Sequence, residues 1–444
     1  MSQDHALPSS TPLERDARLV SSDHTVAPGE IAIGVVIGRA SEFFDFFVYG
    51  IASVLVFPKV FFPFVDPLTG TLYAFAAFAL AFLARPVGSV IFMEIDRRHG
   101  RGVKLTIALF LLGGSTAAIA FLPSYGSIGV ASIWLLAAFR IGQGLALGGA
   151  WDGLASLLAL NAPPKHRGWY AMMPQLGAPI GFMLASALFS FFLANLTPED
   201  FLDWGWRYPF YVAFAINVVA LFARLRLVAT EEFTTLLETR ELVPTPVFEM
   251  IRTNWRSVII GAFVPLASFA LFHLVTIFPI SWITLFTQRS AGEFLMVQFA
   301  GAIVAAGAIV ASGLIADQIG RRTMLAVAAA LIGLFSLGSI LAPLIFGDSE
   351  IGQTIYVIVG FGLLGLSYGQ TSGAVTGNLD TRYRYTGAAL MSDLAWLVGA
   401  AFAPLVALSL SSHFGLAWVG VYLLSGALAT LGALGFNKHW TPNL

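Results

Sequence analysis

The chain is 444 residues long, 57% hydrophobic and only 11% charged, with a net charge of −1 and no cysteine. A soluble domain carries roughly 25% charged residues, so this chain cannot cover a water-facing surface and lipid must be its outer solvent. Disulfides, thiolate metal sites and cysteine nucleophiles are excluded, and no basic tract or zinc spacing supports a nucleic-acid partner.

Residues 1–30 are polar, with Pro8, Ser9, Ser10 and Pro12, and lack the apolar core of a signal peptide. They read as a short disordered cytosolic tail. From Ile31 onward apolar stretches alternate with short polar turns. A span needs roughly 20 apolar residues, which places spans near 31–57, 70–92, 104–122, 129–160, 169–194 and 207–226. A charged stretch, 227–256, follows with no apolar run long enough to cross, and reads as a cytosolic linker. The second set falls near 257–286, 293–316, 323–345, 352–378, 387–410 and 416–436. The expected organisation is therefore an N-terminal six-helix bundle over 31–226, the linker over 227–256, a C-terminal six-helix bundle over 257–437 and a cytosolic tail over 438–444.

Positive charge predicts the orientation. With the N-terminus inside, only Lys59, Arg207 and Arg289 fall on the outer side, and Arg39, Arg85 and Arg140 lie within spans. Every other Lys and Arg falls on the cytosolic side, while Asp66, Glu199, Asp200, Asp203, Asp348 and Glu350 fall outside. Both termini are thus expected in the cytosol, and the inner membrane is the expected location.

Two short cytosolic loops share a pattern. The one after the eighth span reads Gly313-Leu-Ile-Ala-Asp317-Gln-Ile-Gly320-Arg321-Arg322, and the one after the second reads Met93-Glu-Ile-Asp96-Arg97-Arg98-His99-Gly100-Arg101. The second-half copy resembles the loop signature of the major facilitator superfamily. The first-half copy departs from it: Met93 replaces the leading glycine, and Asp96 stands one place early, where Arg97 takes the family aspartate's position. Further stretches narrow the resemblance. Glu42-Phe-Phe-Asp45-Phe-Phe-Val-Tyr49-Gly50, Ala84-Arg85-Pro86-Val-Gly88, Arg140-Ile-Gly-Gln143-Gly144 through Gly149, Pro174-Gln175-Leu-Gly177-Ala-Pro179, Trp204-Gly-Trp206-Arg207 and Arg382-Tyr-Arg384-Tyr-Thr386-Gly387 are similar to the metabolite–proton symporters of that superfamily.

The resemblance implies an all-α membrane protein, twelve transmembrane helices in two six-helix bundles, the major facilitator fold. It implies alternating-access uptake of a small organic solute with protons, latched by the two loops through Asp96, Arg97, Gly100, Arg101, Asp317, Gly320 and Arg321. In the family such a loop closes the cytosolic side through an aspartate facing a helix N-terminus. Two departures bear on the cargo. The family glutamate of the fourth span is absent from Gly148-Gly149-Ala150-Trp151-Asp152-Gly153, Asp152 lying two residues along, and Arg39 occupies a position that is normally small or neutral.

An ionisable group at mid-depth costs at least roughly 2.5–3.5 kcal/mol, so such groups face an aqueous cavity or one another. The first half holds Arg39, Glu42, Asp45, Arg85, Arg140 and Asp152; the second holds Asp393 and His273. Arg39, Glu42 and Asp45 are spaced three apart, so neighbours in the series share a helix face. They read either as a cation beside two carboxylates that share an exchangeable proton, or as a static ion pair holding helices together. Arg85 and Arg140, with Arg39 and Gln143, are the expected substrate contacts, since a guanidinium grips a carboxylate through two parallel bonds; structural pairing with the acids is the other reading. Glu42, Asp45 and Asp152 are the expected proton-coupling groups. His273 reads as a hydrogen-bonded wall residue rather than a metal ligand.

The expected activity is proton-coupled uptake of a mono- or dicarboxylate, without cofactor, metal or catalytic step, by a monomer. The alternatives are a zwitterionic osmolyte such as proline or betaine, export of a metabolite, or a non-transporting receptor. The last is disfavoured because tail and linker are each too small for a signalling domain.

Overall fold

In the computed structural model, which describes residues 28–150, 162–228, 243–341, 349–372, 374 and 379–436, every regular element is helical. The first half contributes α1 (Pro28–Leu55), α2 (Pro67–His99), α3 (Arg101–Ala120), α4 (Ala131–Ala150), α5 (Gly177–Asn195) and α6 (Arg207–Val228). The second contributes α7 (Val247–Phe263), α8 (Leu266–Val275), α9 (Ile277–Phe286), α10 (Ala291–Ile319), α11 (Arg321–Leu341), α12 (Glu350–Tyr368), α13 (Thr381–Gly399), α14 (Ala403–Phe414) and α15 (Ala417–Phe436). Ten helical stretches among the described residues are long and apolar enough to cross a bilayer. Helices α1 and α6, of 28 and 22 residues, also have the length for a core of roughly 30 Å at 1.5 Å per residue.

Helix α7 begins at Val247, inside the stretch read as linker, and is kinked at Asn254 (φ −126°, ψ 26°), just before the span expected from 257. Its start is amphipathic rather than uniformly apolar, with Phe248, Ile251 and Trp255 exposed beside Arg252 and Arg256, so a search for unbroken apolar runs passes over it. The span read as 257–286 is broken into α7, α8 and α9, at Pro265 and again at Thr276 (φ −102°, ψ −68°). The break at Thr276 exposes backbone carbonyls that lipid cannot satisfy. Gln298 of α10 resolves this by donating to the carbonyls of Val275 (2.8 Å) and Thr276 (2.6 Å). Residues 1–27, 229–242 and 437–444 of the expected tails and linker, and Asp152, lie outside the described residues.

The halves end their second membrane helix alike. Helices α2 and α10 both stop at a glycine in the left-handed region, Gly100 (φ 85°) and Gly320 (φ 86°), and the next helix starts at once with arginine. A residue with a Cβ is strained there, which accounts for glycine in both loops. At its other end α2 opens with Pro67 after the cap Asp66, whose carboxylate accepts from the Thr69 N–H (3.1 Å). Hydrogen bonding from the Thr69 side chain, and next from its backbone N–H, holds the exposed Asp66 carboxyl below its usual range.

Small residues bring helices into backbone contact, as they must where lipid removes the hydrophobic drive between helices. A Cβ on Gly144 of α4 would lie 2.2 Å from the carbonyl oxygen of Ala81 in α2, and one on Gly88 of α2 would lie 2.2 Å from that of Leu145. Gly177 and Gly181 of α5 press on α1 at Arg39 and Phe43 in the same way, and Gly365 of α12 presses on Ala305 of α10. The close α2–α4 and α1–α5 seams fix where the ionisable residues of α1, α2 and α4 point.

Candidate functional site

One cavity gathers most of the ionic groups singled out from the sequence. Helix α1 supplies Arg39, Glu42, Phe43 and Phe46 to its wall, α2 supplies Ala81, Phe82 and Arg85, α4 supplies Arg140 and Leu147, and α13 supplies Trp396. The space open to water centres is about 30 Å³, enough for roughly two waters and too small for a metabolite. The halves are therefore drawn together around it.

Each ionic group on this wall has a defined partner. Arg39 donates from Nη1 to Glu42 Oε2 at 2.6 Å, an i,i+3 pair within α1. Arg85 Nε lies 2.6 Å from Asp393 Oδ1 of α13, and Ser89 Oγ, one turn along α2, donates to Asp393 Oδ2. The Arg140 guanidinium is stacked over Tyr49 (3.9 Å to the ring centre) and Phe78 (4.7 Å), and donates to the Phe78 carbonyl (3.2 Å) and Gln143 Oε1 (3.0 Å). Stacking on ring faces partly replaces the hydration that this cation lost on burial.

Glu42 and Asp45 do not converge on one proton, as one of the two readings of their spacing required. Three residues turn a helix by about 300°, so the two side chains stand about 60° apart. That is enough to send Glu42 to the cavity and Asp45 into the seam between α1, α3, α4 and α6. There Asp45 accepts from Thr116 Oγ1, from Gln143 Nε2 (3.3 Å) and from Asn217 Nδ2 (3.4 Å), while Gln143 also donates to Thr116 (2.9 Å) and Ser41 donates to Asn217 (3.0 Å). Gln143 is fully buried behind Arg140 rather than on the wall, so the expected substrate contact instead links the cavity's Arg140 to Asp45.

The expected role of His273 needs correction. Its ring is fully buried and both nitrogens lack a hydrogen-bond partner; Phe46, Phe78, Phe82 and Phe272 enclose it. Sequence reasoning also missed the aromatic wall. Trp396 stacks on Phe269 at 4.4 Å and meets Phe43, Phe46 and Phe82 at 6.1 Å each, joining the first half to the second. No spacing rule reports such a cluster, because its members come from α1, α2, α8 and α13. Asp393 was visible as a lone intramembrane acid, but its partner on α2 was not.

The two loops make different contacts. Asp317 accepts from the backbone N–H groups of Gly168 (2.7 Å) and Trp169 (3.3 Å), at the start of the short helix Arg167–Met172. This is the charge–dipole contact expected of the faithful copy. Arg321, buried beside it, donates to Gln370 Oε1 (3.3 Å) and to the carbonyls of Gln370 (3.1 Å) and Ser372, and Gln370 Nε2 in turn donates to the Gly168 carbonyl (3.2 Å). In the displaced copy Asp96 turns inward to Arg101 (3.2 Å) and Lys104 (3.4 Å) and accepts from Tyr385 Oη of α13 (3.2 Å). Arg97, at the family aspartate's position, points outward and pairs with Glu94 at 2.6 Å. At the opposite end Ser190 of α5 donates to the Gly292 carbonyl of α10 (3.0 Å). The halves are thus tied on both sides of the cavity.

Known proteins agree with this architecture. The inner membrane metabolite transport protein YhjE of Escherichia coli K12 is 37% identical over 409 residues, 91% of this chain and 93% of that one. The shikimate transporter of the same strain is 32% identical over 412 residues, 89% of this chain and 91% of that one. The fold matches the solved structure of the E. coli proton:xylose symporter XylE, with a TM-score of 0.69 at 16% identity, over 93% of this chain and 97% of the other. Residues 35–396 match the Major Facilitator Superfamily. The chain, a multi-pass membrane transporter and not an enzyme, belongs to that superfamily.

Proposed function

We propose that this transporter takes up a small carboxylate together with protons, by alternating access across the inner membrane. Twelve crossings in two six-helix bundles enclose the cavity, both termini face the cytosol, and a monomer suffices. Arg85, with Arg39 and Arg140 beside it, receives the carboxylate; Glu42 shares that wall and is better located than Asp45 for proton exchange with cavity water. The loops bearing Asp96, Arg97, Gly100 and Arg101 and Asp317, Gly320 and Arg321 latch the cytosolic side, and Asp152 remains a candidate coupling acid by sequence alone.

The observation that carries this reading is the cavity's charge. Three guanidinium groups line it, and with Arg39 paired to Glu42 and Arg85 to Asp393 the Arg140 cation is in excess, a balance that favours an anion. The relative that transports shikimate, a carboxylic acid, supports the same chemistry. A second reading has its own observation: Phe43, Phe46, Phe82 and Trp396 would suit the quaternary ammonium of a betaine, with an arginine for its carboxylate.

Thermal shift of the purified protein with shikimate, citrate, succinate, proline and glycine betaine separates the two, since a ligand of the folded state raises its melting temperature. Proteoliposome uptake under an imposed pH gradient then follows for each stabilising compound. Stabilisation and acid-driven uptake of a carboxylate are expected; betaine or proline acting while no carboxylate does overturns the anion reading.

A further inference from the structure

The two arginine–carboxylate pairs on the cavity wall differ in one respect that matters for movement. Arg39 and Glu42 belong to the same helix, so their 2.6 Å contact survives any displacement of one half against the other. Arg85 and Asp393 belong to opposite halves, and Ser89 ties Asp393 to α2 as well. Both charges are nearly inaccessible, with side chains 10% and 1% exposed. Separating α2 from α13 breaks this pair, and an ionised aspartate left alone at this depth is costly. The cavity can open only if Asp393 is neutralised as it leaves Arg85.

We infer that Asp393 stands in for the substrate carboxylate on Arg85 in the closed transporter, and that its protonation couples proton entry to substrate entry. The inference rests on the carboxylate-uptake reading above. At the outer side a proton passes from water to a carboxylate oxygen of Asp393 and its ion contact with Arg85 Nε is lost. The substrate carboxylate then pairs with the vacated guanidinium. At the inner side the substrate leaves, Asp393 re-forms its pair, and the proton returns to water. One proton accompanies one carboxylate in the same direction, and the charge inside the cavity is the same before and after binding.

Other charged or titratable groups surround this exchange without taking it over. Arg39 and Glu42 of α1 and Arg140 of α4 share the cavity wall, and Tyr368 of α12 faces Arg39 and Arg85. His273 of α8 sits behind Phe46 and Phe82. On α7, Glu249 meets helix α13 near its start, at Tyr383 and Arg382, some three turns from Asp393. None of these is bound to Asp393 across the halves as Arg85 is.

The chain has no cysteine, so spin labels can be placed at will on the full-length protein. Labels at Ser127→Cys and His413→Cys report the distance between the halves by double electron–electron resonance. In the parent, acidification without substrate should shift the distribution toward an open form. Asp393→Asn should show the acid distribution already at neutral pH and lose the pH response, whereas Asp393→Glu should keep it. In proteoliposomes, Asp393→Asn should retain exchange of labelled shikimate or citrate yet lose accumulation driven by a pH gradient. Should Asp393→Asn fold poorly, Arg85→Gln with Asp393→Asn removes both charges and should be equally blind to pH. A pH response unchanged in either variant, or undiminished accumulation by Asp393→Asn, overturns the inference. If the parent moves no carboxylate but shows a pH response that Asp393→Asn abolishes, the substrate reading fails while the assignment of Asp393 as the proton-sensing acid stands.

Discussion

Arg85 and Asp393 meet with side chains only 10% and 1% exposed, so each charge depends largely on the other. Truncating one partner leaves the other buried and unmatched, which costs about 3–5 kcal/mol, whereas apolar replacement of both is often neutral. Asp393→Ala should therefore lower the melting temperature clearly, and Arg85→Met with Asp393→Leu should recover most of it without restoring uptake. A double variant no more stable than the single would show that the pair does not hold the halves. Backbone strain offers a second test: Gly320→Val forces a β-branched residue into backbone at φ 86° and ψ 145°, at about 1–3 kcal/mol, while Gly307→Ala meets nothing within 4 Å and should be harmless. Thermal unfolding of both variants checks the contrast. The sequence made Arg39, Arg85 and Arg140 legible because ions within apolar spans need a reason to be there. It did not separate Glu42 from Asp45, since a turn of about 60° decides the matter only once neighbouring helices are in place.

Among the elements, the broken α7–α8–α9 crossing depends on a side chain from elsewhere. Replacing Gln298 by leucine leaves the Val275 and Thr276 carbonyls without their donor in an apolar interior. Each such loss costs about 1–3 kcal/mol, so Gln298→Leu should destabilise the protein measurably in a melting experiment. A melting temperature equal to the parent's would mean that the break is satisfied otherwise. The α2–α4 seam is equally demanding, since a side chain at Gly144 or Gly88 would collide with a backbone carbonyl. The glycine runs announced tight packing in advance. Which helices they join was not legible, because a small residue records that a neighbour is close and not which neighbour it is.

For the molecule as a whole, closure comes from ties between halves on both sides of a small polar cavity. Asp317→Ala removes the carboxylate that caps the helix at Gly168 and should loosen one end only. A single cysteine at Leu147, on the cavity wall, reads this out as faster reaction with a soluble thiol reagent when the Asp317 tie is gone. An unchanged labelling rate would show that the Gln370 and Tyr385 contacts hold that end alone.

Amino-acid order by itself decided that the chain lives in lipid, where its apolar stretches lie, and that buried charge is concentrated in the first half. It also marked the Gly320 loop as the copy closer to the family pattern. Those properties follow from transfer energies and local geometry, which each segment carries with it. The pairing of Arg85 with Asp393, the diversion of Asp45 into a seam with Thr116, Gln143 and Asn217, and the aromatic wall around Trp396 arise only when helices far apart in the chain are packed together. Ionic partners and cavity walls are matters of distance in space, and sequence spacing stops reporting distance beyond a few turns of one helix.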